Sequence, residues 1–80
     1  MNAPVRTVHQ EVLRLMQTRD WPAAEQASSR LNAQFPEFAA GWYAASRIAL
    51  MLGKAGDALS RIERAVSIDP NNPHAHIQRA

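Results

Sequence analysis

Apolar residues recur along this chain at intervals of three and four, the spacing that places side chains on one face of an α-helix. Four such stretches follow one another, separated by short polar or proline-containing segments. The first two carry apolar or small residues at Val5, Val8, Val12, Leu15 and Met16, and at Ala24, Ala27, Ser28, Leu31 and Phe35. The other two carry them at Phe38, Trp42, Ala45, Ala49 and Leu52, and at Leu59, Ile62, Ala65, Val66 and Ile68. The pattern predicts an all-α protein whose helices turn these residues towards a shared core.

Residues that begin or end helices stand between the first three stretches. The polar segment Thr18–Asp20 predicts a turn, and Asp20 is suited to be the N-cap of a second helix. Pro36 ends that helix, because the residue before a proline is pushed out of the helical conformation. The third helix is expected to start near Glu37, since an acidic residue is favourable in a first turn.

The second half of the chain has its own breaks. Gly53 suits the left-handed position that follows a helix, and the fourth helix is expected to begin near Gly56 or Asp57. Pro70 then ends the fourth helix as Pro36 ends the second. Pro73 is placed to open a fifth helix within residues 73–80. The chain is therefore predicted to hold two helical hairpins and the beginning of a third.

The two hairpins repeat at an interval of about 34 residues, and the second resembles the tetratricopeptide repeat, whose motif has this period. Identical residues at this interval are Ala24 and Ala58, Arg30 and Arg64, and Pro36 and Pro70. The motif is carried by Trp42, Ala45, Ser46, Ala49, Gly53, Ala58, Ile62, Ala65 and Pro70. The first hairpin fits more loosely, with Val8, Glu11 and Leu31 at positions where the family has other residues.

The resemblance implies an α-α superhelix, a right-handed solenoid of antiparallel helical hairpins. Residues 1–80 would form a single domain, with repeat 1 at about 5–38, repeat 2 at about 39–72 and the start of a further helix at 73–80. In such solenoids the first helix of each hairpin lines a concave groove that holds a peptide or a partner helix.

Carried over by position, the resemblance assigns the groove to the exposed faces of the first and third helices. Its lining would be Arg6, His9, Leu13, Met16, Gln17, Tyr43, Arg47, Leu50 and Met51, with His74, Ile77 and Gln78 at one edge. This surface would be apolar and adaptable, with two arginines, and suited to an extended or helical peptide with apolar anchors and some acidic character. The alternative is that Leu13, Met16, Leu50 and Met51 belong to the core or contact missing neighbours, and that Arg6 and Arg47 are solvated.

Charge and cysteine content narrow the classes of function. Nine basic and seven acidic side chains give a net charge of +2, and the arginines are dispersed, so nucleic-acid binding is not expected. The chain has no cysteine, the N-terminal residues lack a secretory signal, and no apolar run approaches the ~20 residues that span a bilayer. A cytoplasmic protein that does not insert into membranes is the expectation.

Catalysis, metals and cofactors find little support in the sequence. His74 and His76 are two residues apart, so on a helix they point in different directions and cannot share a metal ion. The serines lie in no nucleophile motif, and Gly53 and Gly56 break helices without forming a phosphate-binding loop. We therefore expect neither an enzyme nor a cofactor or metal site.

Two hypotheses of function follow. The first is a scaffold or adaptor, a protein–protein interaction module that captures a protein or peptide partner in its groove. The second is an N-terminal appendage of a larger bacterial enzyme, transferase-like in the style of its alanine-rich helices, that positions substrate or dimerises. Because about three repeats are needed for a stable array, we also expect a homo-oligomer or a longer parent protein.

Overall fold

The computed structural model describes residues 3–70, which form four α-helices and no strand. The helices are α1 (Ala3–Gln17), α2 (Trp21–Gln34), α3 (Ala39–Met51) and α4 (Ala55–Ile68). Each helix packs against the next one in the chain, and α1 also contacts α3. The all-α prediction is confirmed. The predicted fifth helix lies outside the described residues.

The turns after α1 and α3 are built alike. After α3, Gly53 has a φ of 78°, its N–H donates to the carbonyl of Leu50, and the N–H of Lys54 donates to the carbonyl of Ala49. After α1, Arg19 has a φ of 61° and the following residue, Asp20, donates its N–H to the carbonyl of Leu15. Both are Schellman motifs, in which a left-handed residue lets the chain satisfy the last carbonyls of a helix. The side chain of Asp20 then caps α2 at the N–H of Ala23, as predicted.

The left-handed residue gives a prediction on stability. Arg19→Gly is expected to raise the free energy of unfolding by about 0.5–1 kcal/mol, because glycine lacks the Cβ that makes this conformation unfavourable. Gly53→Ala is expected to lower the same free energy by about 1 kcal/mol for the converse reason. Urea denaturation followed by circular dichroism measures both. Opposite signs are required, and a loss of stability in Arg19→Gly would contradict the account of this turn.

The described helices repeat along the chain. Helices α2 and α4 each have 14 residues. Helix α2 runs from Trp21 to Gln34 and α4 from Ala55 to Ile68, so both ends repeat at the same interval. The third helix departs from the prediction, since it begins at Ala39 and not near Glu37. The cause is a turn over residues 36–37, closed by a hydrogen bond from the N–H of Phe38 to the carbonyl of Phe35.

Trp42 secures this turn from within α3. Its indole Nε1 donates to the carbonyl of Pro36 at 2.8 Å, and the guanidinium of Arg64 on α4 lies 5.5 Å from its ring centroid. The ring therefore joins the loop, α3 and α4 while staying half-buried. This hydrogen bond ties the loop at Pro36 to the first turn of α3. The apolar spacing of Trp42 does not predict it.

The core contains few large side chains. Val12, Leu31 and Ile48 are fully buried and form one cluster with buried alanines of α2 and α3, namely Ala24, Ala27 and Ala44. The small residues let the helices approach closely: a Cβ built on Gly41 would lie 3.1 Å from Cδ2 of Leu31. Leu59 corrects the prediction, because it was expected in the core and is 59% exposed. None of the helices described is long and apolar enough to cross a membrane.

An ion pair that the sequence pattern does not reveal joins three helices. The guanidinium of Arg61 on α4 donates to both carboxylate oxygens of Glu25 on α2, at 2.9 and 2.8 Å. It also donates to the backbone carbonyl of Ala45 on α3, at 3.0 Å. Both charged side chains are 20% exposed. Arg61 thus connects the second hairpin to the first.

Candidate partner-binding groove

An open groove runs between α1 and α3, formed by two adjoining depressions. The larger has a cavity volume of about 510 Å³ and lies at the end where α1 and α3 terminate; the other has a volume of about 430 Å³. Leu13, Met16 and Arg47 line both, so the two form one continuous surface. We call this surface the α1–α3 groove. It exists because α2 packs against both α1 and α3 from behind and leaves their front faces uncovered.

The structure brings together most of the residues predicted for the groove. Seven of them line the two depressions: His9, Leu13, Met16, Gln17, Tyr43, Arg47 and Met51. Arg6 lies beside them, in a neighbouring depression of about 430 Å³ that it shares with Val5, His9 and Phe38. The remaining predicted positions, His74, Ile77 and Gln78, are outside the described residues.

Leu50 is not placed with the others. It lines a separate depression of about 190 Å³ together with Leu59 and Ile62 of α4. Successive helical residues are turned by about 100°, so Met51 and Leu50 face different neighbours. Leu50 therefore lies on the surface between α3 and α4. The prediction that it lines the groove does not match its position.

The apolar lining of the groove is accessible. Leu13 is 40% exposed and Met51 is 55% exposed, so neither is a core residue. Met16 is half-buried and packs against the core, which makes it the floor. Three residues of the lining were not predicted: Arg19, in the turn after α1, Trp21, the first residue of α2, and Ala40 of α3. Arg19 and Trp21 lie in and directly after the turn, where the helical spacing of α1 no longer indicates which way a side chain faces.

The charge of the groove has one sign. Arg19 and Arg47 line its depressions, Arg6 adjoins them, and no carboxylate is among the lining residues. Within residues 3–70, ion pairs join Arg14 to Glu11 and Arg61 to Glu25, and neither involves an arginine of the groove. The charged side chains that line the groove are therefore all positive, and none of them is in an ion pair within this part of the chain.

His9 adds an aromatic wall. Its ring meets that of Phe38 edge to face, with centroids 5.0 Å apart and an interplanar angle of 83°. Burial lowers the pKa of His9 below its ordinary value, so the imidazole is neutral at neutral pH. The surface around His9 is therefore less polar than a charged histidine would make it.

The groove holds groups for binding more than groups for reaction. Apolar side chains and arginines can hold a partner through contact area and charge. In residues 3–70, no group of His, Asp or Glu is arranged to bind a metal ion.

No protein-family description matches the chain, and comparison with curated proteins and with solved structures gives no significant match.

Proposed function

We propose that this protein is an interaction module of the tetratricopeptide-repeat kind, which captures a peptide or helical segment of a partner protein in the α1–α3 groove. The observation that carries the proposal is the accessible apolar lining of Leu13 and Met51 above the half-buried Met16. Exposed apolar side chains that cluster in a concave surface usually mark a site where a partner or ligand binds. We also propose a cytoplasmic location, with which a chain that lacks cysteine is consistent.

The repeat assignment has its own support. Two hairpins whose second helices begin at Trp21 and Ala55, and whose turns use the same left-handed motif at Arg19 and Gly53, have the period of that family. Stacking of such hairpins into a right-handed superhelix would leave α1 and α3 on the concave side. The groove between them would then be one segment of a longer binding surface.

The lining indicates how a partner would be held. Methionine side chains are flexible and polarisable, so Met16 and Met51 can adapt to different apolar anchors. An amphipathic helix or an extended segment would place such anchors along the groove at regular intervals. Tyr43, which lines the second depression of the groove, adds aromatic contact area at low cost in side-chain entropy.

A matched pair of variants tests the groove. Peptides are first selected from a random-peptide display library on the immobilised protein, and the affinity of the best binder is measured by fluorescence anisotropy. Leu13→Glu is expected to weaken binding by roughly tenfold or more, since a charge would be buried against an apolar anchor. Leu59→Glu, the same change at an exposed leucine outside the groove, is expected to leave affinity unchanged.

Circular dichroism checks that both variants keep their helicity. Equal losses of affinity in the two variants would show that the binder does not use the groove. A library that yields no binder at all would remove the proposal itself.

A further inference from the structure

Arg19 occupies a backbone conformation that its residue type disfavours. Its φ of 61° is left-handed, and the corresponding turn of the second hairpin fills the same position with Gly53. A non-glycine residue in this region costs about 1 kcal/mol relative to glycine. Such unfavourable conformations concentrate at functional sites, where the side chain has a use that offsets the cost.

The side chain of Arg19 lies where a partner would lie. It lines the larger depression of the α1–α3 groove together with Arg47 of α3 and Trp21 of α2. Three separate elements therefore place two arginines and a tryptophan around one opening. In the described part of the chain, neither guanidinium has an ion pair.

We propose that this opening, the Arg19–Arg47 end of the groove, binds an acidic side chain of the partner peptide next to an apolar anchor residue. The inference rests on the proposed function and specifies the partner's chemistry. Arginine presents a planar fork of N–H donors that matches a carboxylate. The exposed Leu13 and Met51 beside it would take the apolar neighbour.

A peptide fits this opening better than a nucleic acid. Single-stranded nucleic acids are bound by a continuous basic track with aromatic rings on which successive bases stack. Here Leu13, Met16 and Met51 form much of the lining and would face phosphates unfavourably. An acidic residue flanked by apolar residues matches both parts of the surface at once.

The test uses the same random-peptide display library and reads out the composition of the selected peptides. The expected result is enrichment of Asp or Glu adjacent to Leu, Phe or Trp, with binding that weakens as salt is raised. Changing the acidic residue of the best binder to its amide is expected to lower affinity roughly tenfold, because a charge-assisted hydrogen bond is lost. Arg47→Gln is expected to lower it by a similar factor, and the two changes together should cost little more than either alone.

Arg19→Gly separates binding from folding. It is expected to weaken binding of the acidic peptide about fivefold to tenfold while the protein becomes more stable, a combination that a purely structural role would not produce. Arg30→Gln is the matched control, since Arg30 is an exposed arginine on α2 outside the lining of the groove.

Each outcome decides something different. Selected peptides that depend on Leu13 but show no acidic enrichment would leave the proposed function standing and overturn this inference. Unchanged affinity in both Arg19→Gly and Arg47→Gln would also overturn it. If a poly-uridine oligonucleotide binds more tightly than any selected peptide, and does so through Arg19 and Arg47, the site is for nucleic acid and the inference is wrong.

Discussion

Leu31→Ala is expected to lower the free energy of unfolding by about 3–4 kcal/mol, the range for deleting a fully buried leucine in a core that cannot collapse. Leu31 has no exposed surface, and its Cδ2 would lie only 3.1 Å from a Cβ placed on Gly41, so it fills the contact between α2 and α3. Three of the five other buried residues in its core cluster are alanines, which are too short to reach into the space left behind. The cavity would therefore persist.

The effect should be large compared with the whole stability of the domain. A chain of 80 residues buries a modest fraction of its surface, and small domains are stable by only about 5–10 kcal/mol. Urea denaturation at constant temperature, followed by the helical signal in circular dichroism, measures the change. Leu59→Ala is the control, because Leu59 is 59% exposed and its truncation should cost under about 1 kcal/mol. Similar losses in the two variants would mean that the α2–α3 contact does not depend on Leu31.

The fold was predictable as far as it depends on local signals. Asp20 and Gly53 act at single helix ends, so their roles could be read from residue type alone. The start of α3 was not, because it depends on a hydrogen bond from Trp42 back to the loop at Pro36. Leu59 was assigned to the core because it continues the apolar stripe of α4, but its side of α4 is uncovered in the described structure.

The candidate site shows the same division. The resemblance, carried over by position, placed His9, Leu13 and Arg47 in one groove, and the structure brings these three residues to one surface. Helical spacing and resemblance could not place Arg19, because it lies in the turn after α1, outside the helices. They also misplaced Leu50, one residue from the groove-lining Met51, since a rotation of about 100° separates neighbours. Which side chains a turn contributes to a surface, and which face of a helix a residue occupies, can be determined only from the three-dimensional structure.

Arg61→Met is expected to lower the free energy of unfolding by about 2–3 kcal/mol, between the values for exposed and for buried ion pairs. The change removes a guanidinium that bonds to Glu25 and to the carbonyl of Ala45, and it leaves a carboxylate that is only 20% exposed without its cation. Methionine retains most of the volume, so the loss reports the polar contacts. Arg14→Met is the control, since the pair of Arg14 with Glu11 lies on the exposed surface and should contribute little.

The same pair should make stability depend on pH in acid. Hydrogen bonding from Arg61 holds the pKa of Glu25 below its ordinary value, against the opposing effect of burial. A carboxyl whose pKa is lower in the folded state stabilises the protein above its unfolded pKa of about 4.3, and this contribution disappears as pH falls through the folded pKa. The difference in unfolding free energy between the original protein and Arg61→Met should therefore be constant near neutral pH and shrink in acid. Urea denaturation at a series of pH values measures it. A difference that stays constant from neutral pH down to about pH 2 would show that the guanidinium acts through packing and its bond to Ala45, and that its charge contributes nothing to the connection between the two hairpins.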